Sequence, residues 1–182
     1  IMVEEKMNKN RIGEIVPGLW IGALWSIREI AKRPNLRWTV ITALHSENLT
    51  AFIEASKQEL ERECLGIVEA HECWQIPDKS DSVFISTQLE EVLTNIDQGT
   101  NPSDNKVCLV HCAFGTSRSV SICAAWLISR RGMSLADSLE CIRRVRPEAM
   151  PNMGFIAGLR ALEQSEGNVK VACKRMENSR NT

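Results

Sequence analysis

Residues 106–119 read KVCLVHCAFGTSRS, and this stretch decides the fold. Its first part, Lys106 to His111, is a short apolar run of the kind buried on both faces of a sheet. Cys112 to Arg118 (CAFGTSR) is small and polar around Gly115. From Ser119 to Arg131 apolar residues recur at helical spacing (Val120, Ala124, Trp126, Leu127, Ile128), and Gly132 supplies a stop. The segment predicts a buried strand, a tight loop and the first turn of a helix in direct succession.

Outward from this unit the chain alternates strands and helices. Upstream, Glu14 to Gly22 predicts a hairpin turned at Pro17-Gly18, followed by a short helical stretch from Leu24 to Lys32 and a buried strand from Trp38 to Leu44. Apolar spacing predicts a surface helix from Asn48 to Cys64, stopped at Gly66, then a strand from Val68 to Pro77. A polar loop, Asp78 to Ser82, and a helix from about Val83 to Asp97 follow. Downstream, Ser134 and Asn152 are candidate N-caps of two further helices, and the tail from Gly167 reads as polar and loose. The pattern is that of an α/β fold: a central, mostly parallel sheet of about five strands with helices on both faces. Residues 1–10 read as an N-terminal extension, 11–166 as one domain and 167–182 as a polar C-terminal tail.

Bulk properties narrow the function. The chain has 182 residues, 43% of them hydrophobic, enough for a single core. Its 22 Lys plus Arg stand against 23 Asp plus Glu, so it lacks the basic field that nucleic-acid binding needs. No apolar run reaches the roughly 20 residues of a membrane span, and the first ten residues lack a secretion signal's apolar stretch. Seven cysteines, an odd number, favour a reducing intracellular setting, cytoplasmic or also nuclear. Ile1 before Met2 fits either a leading residue added in expression or a chain that starts inside a longer protein. A monomer is expected.

The loop carries chemistry. A strand turning into a helix N-terminus aims backbone N–H groups and the helix dipole at one point, which makes an anion cradle. A cysteine opening that loop has its thiolate favoured by the same donors. Arg118, six residues on, can curl back and bind two phosphate oxygens with its planar fork. Gly115 allows the N–H groups of Ala113, Phe114, Thr116, Ser117 and Ser119 to converge around the ligand, and the Ser119 hydroxyl can steady the sulfur. With seven cysteines and 14 arginines, chance alone supplies about half a Cys-x5-Arg match. Requiring His before the cysteine, Gly at the third place and Ser after the arginine lowers that expectation to roughly 10⁻⁴.

The stretch from His111 to Ser119 resembles the signature loop of the dual-specificity protein phosphatases, in a small, single-domain form of the atypical type. The opening EIVPGLWIGAL and the closing RRGMSLADSLECIRRVRP and PNMGFIAGLRALE resemble the same family, so about residues 11 to 165 match. The resemblance implies the cysteine-phosphatase fold, a phosphocysteine intermediate on Cys112, Arg118 as phosphate clamp, no metal and no cofactor, and phosphorylated protein as substrate. It also implies an aspartate acid on a separate loop. Aligning DKSDSVF with one family variant selects Asp78, whereas counting back from Cys112 selects Asp81; Asp78 is preferred. Phe114 departs from the family, which commonly carries a small residue there, and Val83 stands where many members have asparagine. Rival expectations are the same chemistry on a lipid, glycan or RNA phosphate, a phosphate-binding pseudophosphatase, and an arsenate-reducing enzyme, whose acid would lie downstream.

Other features have plainer readings. His111 is expected to orient the loop through hydrogen bonds rather than transfer protons, and His45 and His71 have no partner pattern. His71, Cys73 and Cys64 match no common zinc spacing. Cys108 reads as core, with a disulfide to oxidised Cys112 as the alternative. Arg143, Arg144 and Arg146 either complement a helix C-terminus or dock an acidic substrate. The tryptophans Trp20, Trp25, Trp38, Trp74 and Trp126 read as core or rim packing.

Overall fold

The computed structural model describes residues 11–45, 66–79 and 84–180, together with 58, 62 and 64. The expected extension (1–10), most of the expected helix from Asn48 to Cys64, Val83 and the last two residues lie outside this set.

Five strands form one sheet in the order β1-β2-β5-β3-β4. Strand β1 (Gly13–Val16) and β2 (Leu19–Ala23) make the antiparallel hairpin around Pro17-Gly18. Strands β3 (Arg37–Leu44), β4 (Val68–Gln75) and β5 (Lys106–Cys112) run parallel to β2, as expected. Parallel strands place their C-terminal ends at one edge, where α/β folds carry their sites. Ala23, Leu44, Gln75 and Cys112 close the four strands there.

The helices are α1 (Thr87–Gly99), α2 (Arg118–Arg131), α3 (Leu135–Arg143), α4 (Met153–Glu163) and α5 (Val169–Arg180), with 3-10 turns at Leu24–Lys32 and Pro102–Asp104. Strand alternation splits β5 between two cores. Cys108, Val110 and Cys112 face the helical layer, with Leu93 of α1, Leu127 of α2 and Phe155 of α4 in the same cluster. Val107 and Leu109 face the opposite side with Ile27, Ile30, Trp38 and Val40. Helix α2 is buried from Arg118 through Ile128, so it is the central helix and shows little polar face.

Three expectations shift. Helix α1 starts at Thr87, not near residue 83, because Phe84 and Ile85 are themselves buried and Ser86 is still extended. Phe84 packs against Phe155 and Trp74, with ring centroids 5.1 and 6.0 Å apart, and burying such a ring contributes about 1.5–3 kcal/mol. The segment 24–32 winds as a 3-10 helix. The tail is not loose, since residues 169–180 form α5 with Val169 and Ala172 buried. Gly167, at φ +76°, lets the chain press onto α2, where a Cβ would stand 2.6 Å from the Ser129 Cα. A helix that buries so few apolar positions looks like solvated chain in sequence.

Candidate active site

Strand β5 ends on Cys112, which is buried. Its Sγ accepts the Gly115 N–H at 3.2 Å and lies 3.2 Å from Ser119 Oγ, so the expected hydroxyl partner is in place. Gly115 adopts φ +69°, and a Cβ there would meet the Arg146 guanidinium at 2.6 Å and the Gly22 carbonyl at 2.8 Å. The loop therefore requires glycine on two grounds, its backbone angle and the space beside it.

Arg118 opens α2 and is buried, with Nε 3.6 Å from Asp78 Oδ2. Asp78 follows β4 by three residues, just past Ile76, which is buried and donates its N–H to the Leu44 carbonyl. Asp78 Oδ1 accepts the Ser117 hydroxyl and the Asn152 amide, each at 2.7 Å. The Asn152 backbone N–H reaches back to Ser117 Oγ at 3.2 Å, closing a small ring of bonds. The candidates Cys112, Arg118, Ser119 and Asp78 thus meet at one edge. Asp81 lies outside the described residues.

Asn152 and Ser117 are links that sequence reading missed. Asn152 was legible as a helix cap, and its Oδ1 does accept the Phe155 N–H, but its second bond joins residues 74 positions apart. Two further backbone bonds hold the loop: the Leu24 N–H to the Ala113 carbonyl at 3.3 Å and the Met150 N–H to the Thr116 carbonyl at 2.7 Å.

Arg146 does not take the docking alternative: its guanidinium is buried. It is only 2% exposed and lies beneath the loop, donating to the carbonyls of Phe114 (2.8 Å), Gly115 (3.2 Å) and Arg11 (3.2 Å) while pairing with Glu148 at 3.1 Å. Burial lowers its pKa, and the Glu148 carboxylate opposes that shift. Drawing carbonyls outward in this way suits a loop whose N–H groups must face the other direction. Of its neighbours, Arg144 pairs with Glu140, and Arg143 bonds the Ala149 carbonyl.

His111 sits on the opposite face of β5, with Nε2 2.6 Å from Thr42 Oγ1, and the same hydroxyl is 2.8 Å from His71 Nε2. His71 therefore has a partner, contrary to expectation. One hydroxyl proton can serve only one of the two rings, so one imidazole donates to Thr42 and the other accepts from it. Burial, reinforced by His71, pushes the His111 pKa down to about 3 against a smaller pull from the Cys112 backbone. A ring neutral at pH 7 fits the expected orienting role.

The other thiols behave as core. Burial raises the pKa of Cys108 and of Cys123, and none of the seven cysteines is in a disulfide. Cys108 and Cys112 stand four residues apart on one strand, about 13 Å between Cα atoms. A disulfide needs about 4.4–6.8 Å, so joining them would unravel β5. Of the tryptophans, Trp38, Trp74 and Trp126 are buried, Trp20 packs edge-on against Trp38 at 5.5 Å, and Trp25 is exposed.

Such an edge brings together a thiol, a guanidinium and a carboxylate. Residues 37–165 match the family described as "Dual specificity phosphatase, catalytic domain". The chain is 30% identical over 158 residues to dual specificity protein phosphatase 1B of Arabidopsis thaliana, covering 86% of this chain and 85% of that one. It is 38% identical over 91 residues to dual specificity protein phosphatase 1 of the same plant, a match that spans 50% of this chain and 44% of the relative. The human DUSP28 structure, 22% identical, superposes with a TM-score of 0.66 over 85% of this chain and 93% of its own, which shows the shared fold.

Proposed function

The chain belongs to the dual specificity phosphatase family, and from that premise we propose that it is a metal-independent phosphatase that hydrolyses phosphotyrosine and phosphoserine or phosphothreonine in proteins through a phosphocysteine. Members of the family are protein phosphatases, so phosphoprotein is the substrate class the membership favours. The roles follow from the geometry of the edge. The Cys112 thiolate attacks phosphorus: an S–P bond forms, the P–O bond to the leaving oxygen breaks, and Asp78 gives that oxygen its proton. Arg118 and the N–H groups of residues 113–119 hold the phosphoryl oxygens through the transfer. Water then attacks phosphorus, the Asp78 carboxylate takes one of its protons, the S–P bond breaks and inorganic phosphate leaves. Both groups return to their starting states.

The observation that carries this reading is the pair of 2.7 Å bonds that seat Asp78 against the loop containing Cys112 and Arg118. Two side chains from separate segments, Ser117 in the loop and Asn152 at the start of α4, hold that carboxylate beside Arg118, which supports the acid role. Hydrolysis of an aryl phosphate with EDTA present tests the reading. Cys112→Ser should lower kcat by on the order of 10³-fold or more, and Asp78→Asn by on the order of 10²-fold with a flattened basic limb of the pH profile. Activity that survives the serine change, or that needs metal, would sink the mechanism. A wild-type rate in Asp78→Asn would move the acid role to Asp81.

A further inference from the structure

Single exposed apolar side chains are ordinary, but a group of them at one place marks a contact surface. Among the described residues five large hydrophobic side chains stand well exposed, and four of them surround the loop. Phe114 lies within it. Trp25 follows Leu24, whose N–H bonds the Ala113 carbonyl. Met150 donates its own N–H to the Thr116 carbonyl. Met153 follows Asn152, which holds Asp78. These four are between 65% and 73% exposed, and the fifth, Val171, is on α5.

We propose that Phe114, Trp25, Met150 and Met153 form the apolar part of the substrate rim, and that the preferred substrate is a protein segment with apolar side chains beside its phosphorylated residue. The inference rests on the phosphatase reading above and adds the sequence context that the site selects. All four are exposed, and each lies in the loop, is bonded to it, or adjoins in the chain a residue bonded to it, which puts them near an ester that reaches Cys112. Phe114 matters most, since it replaces the small residue expected at that place with an exposed ring inside the loop itself.

Charge points the same way. An acidic or multiply phosphorylated segment, or an anionic membrane surface, calls for cations at the rim. The arginine cluster nearest the loop is engaged elsewhere: Arg146 beneath the loop, Arg144 with Glu140, and Arg143 with the Ala149 carbonyl. Asp78 and Lys79 add one charge of each sign beside the site, and the whole chain carries a formal charge of −1. Such a rim favours apolar neighbours and gains little from acidic ones.

The test uses two phosphotyrosine peptides that differ only in their flanking positions, one with Leu, Val and Phe, the other with Asp and Glu. Affinity is measured on the Cys112→Ser chain and kcat/KM on the active chain. Both should favour the apolar peptide by roughly tenfold or more. In Phe114→Ala, and separately in the Met150→Ala/Met153→Ala pair, the ratio between peptides should fall toward one; a ratio cancels any general loss of activity. Preference for the acidic peptide, an unchanged ratio in both variants, or faster turnover of phosphoinositide vesicles than of either peptide would overturn the proposal. A binding preference that persists without any hydrolysis would support the rim and overturn the chemistry alone.

Discussion

Helix α2 and helices α3 and α4 begin in opposite ways. Ser134 and Asn152 cap α3 and α4 as N-cap residues should, accepting the N–H groups of Asp137 and Phe155. Ser117 occupies the same position on α2, yet it makes no capping bond and donates its hydroxyl to Asp78. The first N–H groups of a helix need partners. At α3 and α4 the chain supplies one from its own side chains, while at α2 it directs the would-be cap to Asp78. The difference teaches that a helix start can leave its capping position open when the would-be cap is diverted, and that the diverted side chain then ties the loop to a distant segment.

The contrast can be broken at several strengths. The largest effect should come from Gly115→Ala, which forces a Cβ into the Arg146 guanidinium and the Gly22 carbonyl at a positive φ. Displacing the loop by about 1 Å should cost on the order of 10²-fold in kcat/KM, measured on an aryl phosphate. Acid should come next, because the strand leading into α2 carries a buried neutral histidine. His111, with a pKa of about 3 when folded and about 6.5 when unfolded, takes up protons more readily in the unfolded chain between those values. Its stabilising contribution is complete above pH 6.5 and declines as pH falls toward 3, by about 2 kcal/mol between pH 7 and pH 5. Urea unfolding at those two pH values should show the drop, and His111→Asn should reduce it. The smallest effect sharpens the comparison: Ser134→Ala and Asn152→Ala should each lose about 1 kcal/mol of stability. Only Asn152→Ala should also lower kcat, because its amide holds Asp78. Equal kcat losses in the two variants would dissolve the distinction between closed and diverted helix starts.

Most of the fold was legible because each element carries its own local pattern. The Pro17-Gly18 turn, the run from Lys106 to His111, and the caps Ser134 and Asn152 are all signalled within a few residues. The adjacency of Cys112 and Arg118 in one strand-loop-helix unit was legible for the same reason, since the loop is contiguous. What stayed hidden depends on contacts between distant segments. Arg146 reads as a surface cation among neighbouring arginines, and nothing local says that it bonds a carbonyl 135 positions away. The Thr42 hydroxyl, poised between two histidines on neighbouring strands, likewise has no periodic signal. Asp78 was visible only as one of two acids, because its distinguishing feature is Ser117, 39 positions downstream. Helix α5 was missed because its polar composition conceals the buried Val169 and Ala172.

Arg146 has a consequence for transplantation. A designer who grafts residues 111–119 onto another strand and helix would move Cys112 and Arg118 but leave behind the side chain that gathers the Phe114 and Gly115 carbonyls. The transferred piece would keep its letters and lose its tension, for the segment at Arg11 and the turn after α3 act through that one side chain as the frame on which the loop is strung.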